Sequence, residues 1–244
     1  MADGRSFHPP RVELHRVSKH FGAGPTRVDA LIDIDLLVHP GELVGLRGPS
    51  GCGKSTLLNV IGCVTEPSEG DMRIDGEPVY DGRWLRRDLR RLRLTRIGFI
   101  FQTHNLLPFL TATENVAEAM ELNGARPRDA RERAITLLDY FEMRQVNAYP
   151  AELSGGMAQR VAIARAIANA PHIILADEPT APLDSVRAQA VIDLLTRIAR
   201  EQQAAVLVVT HDASIFHRFD RLISMRDGRI EAETVPAVPG AANA

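Results

Sequence analysis

The sequence predicts an α/β protein: a mainly parallel sheet covered on both faces, with an antiparallel β unit before it and a helical insertion within it. Three observations carry this. Apolar runs of strand length at residues 43–46, 172–176 and 204–209 have no polar alternation, so both of their faces must be buried. Stretches of helical spacing separate these runs, as crossovers between parallel strands require. Residues 12–36, by contrast, alternate apolar and polar, the pattern of half-buried antiparallel strands.

Composition sets the bounds. A chain of 244 residues with 45% hydrophobic and 25% charged side chains can bury one substantial core. Its net charge of −2 gives no bulk field for nucleic acid or an anionic surface. The two cysteines, Cys52 and Cys63, fit neither a disulfide framework nor a zinc site, which suits a reducing cytosol. No apolar run reaches the ~18 residues of a membrane span, so the chain is expected not to cross a bilayer itself.

Residues 1–10 read as a disordered arm. Val12, Leu14 and Val17 then share one strand face, a Gly-Pro turn follows at 22–25, and Val28, Ala30, Ile32, Ile34 and Leu36 alternate again. Phe21 closes the first strand, where an aromatic is either core or a face on which a nucleobase stacks. The apolar run at 43–46 leads into Gly48, Pro49, Ser50, Gly51, Cys52, Gly53, Lys54, Ser55 and Thr56, and a helical pattern follows. Strand, glycine-rich turn and helix are the setting in which this spacing means a phosphate loop. Its glycines let successive N–H groups converge on a phosphate, and the helix N-terminus adds its own donors. Lys54 reaches the β- and γ-phosphates and the Ser55 hydroxyl ligates Mg²⁺, so the stretch predicts a nucleoside triphosphate site.

Turn signals at 67–82 surround a further hairpin. Seven arginines between residues 83 and 96 alternate with Trp84, Leu85, Leu89, Leu92 and Leu94, and are read as the solvated face of an amphipathic helix rather than a nucleic-acid stripe. A short strand at 97–101 ends in Gln102. Helices are expected over 112–122, 128–141 and 157–168, making residues 103–168 a helical insertion. A helix at 185–202 separates the last two apolar runs, and residues 234–244 read as a flexible tail.

Ligands of parallel α/β sheets gather at the carboxyl ends of the strands. Gln102, Asp177, Glu178 and His211 all follow apolar runs, and beside a phosphate loop they make a hydrolysis site. Asp177, with Ser55 and Gln102, suits a hydrated Mg²⁺. Glu178 is placed to orient or deprotonate the attacking water, and His211 to reach the γ-phosphate. Ser154, Gly155 and Gly156 open the 157–168 helix as a second anion site. The Cys52 thiol is expected beside the phosphates, where alkylation blocks nucleotide and nucleotide protects. Within Leu106, Leu107, Pro108, Phe109 and Leu110, an apolar partner surface competes with simple packing inside the insertion.

With these motifs in order, residues 11–233 resemble the nucleotide-binding domain of ATP-binding cassette (ABC) transporters. The match comprises the phosphate loop, the Q-loop at Gln102, the signature Leu153-Ser-Gly-Gly156, the acidic strand end at Asp177-Glu178 and the switch His211. The resemblance implies a P-loop NTPase core of the RecA type, ATP and Mg²⁺ as ligands, and a head-to-tail homodimer. In that dimer each ATP lies between one subunit's phosphate loop and the other's Ser154, Gly155 and Gly156. It further implies that Lys54, Glu178 and His211 serve hydrolysis, that Phe21 stacks on adenine, and that Asp184 belongs to a D-loop. The wording around Gln102 and residues 105–116 is similar to the branch serving lipoprotein release and macrolide export. That branch implies a separately encoded permease and a station on the cytoplasmic face of the membrane, while the near-neutral net charge counts against a nucleic-acid partner. Alternatives within the fold are an importer ATPase or a cassette that tethers or signals to a membrane complex. Two positions depart from the family: Met157 stands where glutamine is usual, and Ala181-Pro182 where Gly-Asn is usual.

Overall fold

The computed structural model describes residues 9–181, 183 and 185–236. Most of the predicted arm and tail, together with Pro182 and Asp184, therefore lies outside the described residues. Strands β1 (Val12–Phe21) and β2 (Val28–Val38) pair antiparallel, and β3 (Leu43–Arg47) opens the second sheet. Helix α1 (Lys54–Ile61) follows, and then the β4 (Glu69–Ile74) and β5 (Glu77–Asp81) hairpin, which completes a four-stranded sheet in the order β2-β1-β4-β5. After α2 (Leu89–Arg96) come β6 (Ile97–Ile100), then α3 (Ala112–Glu121), α4 (Pro127–Tyr140) and α5 (Gly155–Ile167). The chain finishes with β7 (Ile173–Asp177), α6 (Ser185–Gln202), β8 (Ala205–Val209), β9 (Arg221–Arg226) and β10 (Arg229–Thr234). The second sheet has the order β10-β9-β3-β8-β7-β6, and all of its strands but β10 run parallel.

The unalternating runs are explained by burial on both faces. In β7, Ile173 and Leu175 enter the apolar cluster shared with α1 and the antiparallel sheet, while Ile174 and Ala176 enter the one shared with α3 to α6. Ala205, Leu207 and Val209 divide from Val206 and Val208 in β8 in the same way. The helical insertion lies between β6 and β7, which are neighbours in the sheet, so it extends from one end of it without breaking it. Gly98 is what lets α5 settle on β6, because a Cβ there would lie 2.3 Å from the Ala166 carbonyl oxygen. At the opposite end of the strands from the predicted ligand site, Asp75 joins the two sheets. Its carboxylate accepts from Arg11 at 2.9 Å and Arg96 at 3.2 Å, and meets His172 Nδ1 at 2.7 Å.

Two expectations need correction. The helix expected over 83–96 is only Leu89–Arg96. Residues before it run back along β5 instead: Trp84 bridges to Tyr80 and meets its ring edge-on at 5.5 Å, and Leu85 N–H donates to the Val79 carbonyl. Arg86 forks between Glu77 and Asp88, so the leucine spacing that suggested a helix is broken by side-chain pairing. The β9–β10 hairpin has no counterpart among the predicted elements, and its last residue, Thr234, pairs with Leu222 at the first position of the expected flexible tail.

Candidate active site

Arg47 ends β3, and the chain turns at Gly48 into the phosphate loop. Gly48 has φ +151°, and a Cβ there would lie 2.2 Å from the Met225 carbonyl oxygen of β9. Gly53 has φ +105° and faces the Ala30 carbonyl of β2 just as closely, at 2.4 Å. Only glycine fits either position. The hairpin that sequence reasoning missed thus forms the back wall of the loop, and its turn seals the contact: Gly228 N–H donates to the Cys52 carbonyl at 3.2 Å, and Ile32 N–H to the Gly228 carbonyl at 2.8 Å. Its signal was present in Asp227-Gly228, a turn dipeptide between Leu222, Ile223, Met225 and Ile230.

Gly53 caps α1 without a side-chain bond, so the first-turn N–H groups remain free to serve an anion. The Lys54 ammonium crosses the loop mouth, donating to the carbonyls of Gly48 at 2.9 Å and Pro49 at 2.8 Å.

The strands beside β3 bring the polar groups. Glu178 follows β7 in a left-handed conformation, φ +48°, with its N–H bonded to Val209 O of β8 at 3.0 Å. A non-glycine residue held there carries strain of roughly 1–2 kcal/mol, and such strain gathers at functional sites. The Glu178 carboxylate accepts from Gln102 Nε2 at 3.4 Å and stands 3.4 Å from His211 Nδ1. Residues from β6, β7 and β8 thus meet at one carboxylate. Gly48, Ser50, Gly51, Gly53, Lys54, Ser55, Thr56, Gln102, Asp177, Glu178, Val209 and His211 line one cavity of about 430 Å³.

The chain as a whole is matched by known proteins. The family model described as ABC transporter matches residues 31–181. The chain belongs to this family. It is an ABC ATPase cassette of α/β fold with an antiparallel β unit and helices inserted in its mainly parallel sheet. It is 42% identical over 226 residues to the lipoprotein-releasing system ATP-binding protein LolD 2 of Chlorobaculum tepidum, covering 91% of this chain and 92% of that one. It is also 42% identical over 233 residues to the macrolide export ATP-binding/permease protein MacB of Marinobacter nauticus, covering 95% of this chain. The cassette spans only 36% of that longer relative. Among solved structures, the dimeric post-hydrolysis state of the cassette MJ0796 of Methanocaldococcus jannaschii, bound to ADP and Pi, superposes with a TM-score of 0.83 at 40% identity, covering 94% of this chain and 99% of that one.

Not every expected site residue of the ABC cassette reaches the cavity. Pro49 contributes its carbonyl to Lys54 and is absent from the cavity wall. The Cys52 side chain is buried in the apolar cluster and lies behind the loop near Gly48, which corrects the expectation of a thiol beside the phosphates. Its sulfur lies 3.7 Å from Lys54 Nζ, so the thiol backs the lysine without lining the cavity. Phe21 stands apart with an exposed ring, and Lys19 Nζ lies 4.9 Å from its centroid. Ser154 caps α5 through the Met157 N–H, 3.4 Å away, and lies with Gly156 on a separate cleft against Tyr140, Phe141 and Leu183. Met157 packs against the larger apolar cluster, a role a thioether fills without needing hydrogen-bond partners.

Proposed function

We propose that this cassette hydrolyses ATP to drive a permease, in an export or extraction transporter for amphipathic substrates. The observation that carries the reading is the meeting of Gln102, Glu178 and His211 opposite Lys54 in one cavity. In this reading the phosphate-loop N–H groups and Lys54 hold the β- and γ-phosphates. Glu178 orients a water and takes its proton as the water oxygen bonds to the γ-phosphorus; the bond from that phosphorus to the bridging oxygen breaks and ADP departs. His211 holds the γ-phosphate from β8 and keeps its imidazole against the same carboxylate.

Mg²⁺ fits this donor set. Among the described residues no group of three or more His, Cys, Asp or Glu side chains is placed to hold a metal ion by itself. Ser55, Gln102 and Asp177 do share the cavity wall, a sparse oxygen set suited to a cation that keeps waters and phosphate oxygens. Bound there, the ion would neutralise charge on the phosphate oxygens.

Two copies would act head to tail, Ser154, Gly155 and Gly156 of each closing on the other's nucleotide, with adenine on Phe21. Residues 11–233 would form the working unit, with 103–168 as its helical part. The export reading draws support from relatives named for macrolide export and lipoprotein release. A place at the cytoplasmic face of a membrane follows from that reading; no helix among the described residues is long and apolar enough to cross one. A role without nucleic acid is supported by the arginines of 83–96, of which Arg86, Arg93 and Arg96 are tied to the protein's own acceptors. The test is ATP turnover of the purified protein with Mg²⁺ and with EDTA, beside co-purification from membranes. Metal-dependent turnover with a co-purifying membrane subunit is expected; stimulation by DNA without such a subunit would overturn the transport reading.

A further inference from the structure

Arg165 lies near the C-terminal end of α5, and its guanidinium grips the loop that follows Gln102. Nη1 donates to the Asn105 carbonyl at 2.6 Å and Nη2 to the His104 carbonyl at 2.7 Å. Among the described residues it has no carboxylate partner, so a charged fork is spent entirely on two backbone oxygens. Asn105 is left-handed, φ +48°, a turn that lets consecutive carbonyls face one donor. Burial lowers the guanidinium pKa, the mark of a charge desolvated by its position.

The same helix runs from the site's strand to the exposed serine-glycine turn. Its last turn rests on β6 at Gly98, the strand that delivers Gln102. Its first residues are Gly155 and Gly156, about 16 Å away at ~1.5 Å per residue. We propose that Arg165 is a positioning residue for hydrolysis: by tying His104 and Asn105 to α5, it makes the reach of Gln102 to Glu178 depend on the placement of the helix that begins at Ser154. The clamped carbonyls lie only two and three positions beyond Gln102, too few for the loop to absorb a shift of α5 without moving the amide. This inference rests on the hydrolysis reading, with Gln102 acting at Glu178.

The experiment is a double-mutant cycle of Arg165→Ala and Gln102→Ala, read as kcat, KM for ATP and thermal midpoint. Each single variant should lose about tenfold in kcat with KM within about twofold, and the double variant should lose no more than either single one. Arg165→Lys keeps the charge but not the fork, so it should fall between wild type and Arg165→Ala; it replaces Arg165→Ala in the cycle if that variant does not fold. Multiplying losses, or a fall in thermal midpoint with kcat unchanged, would overturn the inference. Wild-type turnover in the same assay separates the two levels: without it the hydrolysis reading itself fails.

Discussion

Glu178 and His211 face each other at 3.4 Å from adjacent parallel strands, and the Gln102 amide reaches the other oxygen of the same carboxylate at the same distance. The carboxylate is therefore held from two sides before any substrate group is considered. Glu178 is mostly buried while His211 is largely exposed, so the histidine is the more mobile partner of the pair. His211→Ala should accordingly lower turnover while leaving ATP affinity within about threefold, because the phosphate loop and Lys54 supply most of the hold on the phosphates. Nucleotide titration beside steady-state kinetics checks this; equal losses in affinity and turnover would assign His211 to binding.

Gly48→Ala and Gly51→Ala should part company. Both positions have positive φ, but a Cβ at Gly48 drives into the Met225 carbonyl while one at Gly51 meets nothing within 4 Å. Gly51→Ala should cost about 1–2 kcal/mol of backbone strain, and Gly48→Ala should cost more and abolish ATP binding. Thermal midpoints and nucleotide titration of the two variants give the comparison.

Neither cysteine should react in the folded protein. Both thiols are buried, which blocks access, and burial pushes the Cys63 pKa up to about 12, so that residue has almost no thiolate at neutral pH. Iodoacetamide at pH 8 should label both only in denaturant. Rapid labelling of Cys52 under native conditions would show that the phosphate loop opens away from β9.

The loop before α3 should tolerate change at its tip and fail at its base. Phe109 is 71% exposed, whereas Leu106 packs against the larger cluster and the Asn115 amide bonds to the carbonyls of Leu107, Leu110 and Thr111. Leu107 N–H returns a bond to Asn115 Oδ1 at 2.7 Å. Phe109→Ser should change stability by less than about 0.5 kcal/mol and reduce co-purification of a membrane subunit. Asn115→Ala leaves one N–H and three carbonyls of the loop, all partly buried, without this partner and should cost about 1–3 kcal/mol. Retained co-purification of Phe109→Ser would move the partner surface elsewhere.

The α3 cap gives a pH signature. Glu114 accepts from the Thr111 N–H and hydroxyl, each at 2.8 Å, and these bonds hold its pKa below the ordinary carboxylate value. The unfolded chain thus binds the proton more readily, and the cap stabilises the fold above the unfolded pKa. The stability gap between wild type and Glu114→Gln should be full at pH 7 and shrink as pH falls through the folded pKa. A gap that does not change with pH would mean that the cap works through shape alone.

Much of this architecture was legible because its signals are local. The Gly48 to Thr56 loop, the apolar runs closing in Asp177 and His211, and the helix at Ser185–Gln202 each follow from neighbouring residues. What escaped depends on residues far apart in sequence. Trp84 leaves a helical pattern because Tyr80 captures it across a turn, and Cys52 turns inward because Gly48 and the hairpin at 221–234 close behind it. Arg165 carries no local signal, because its partners Asn105 and His104 lie 60 and 61 residues away.

The most direct test is Glu178→Gln, which keeps the shape of the side chain and removes its basicity. The variant should bind ATP as tightly as wild type, lose about 10²-fold or more in turnover, and accumulate as an ATP-bound dimer in size-exclusion chromatography. Turnover at the wild-type rate would contradict the assignment of Glu178 as the group that takes the proton from water.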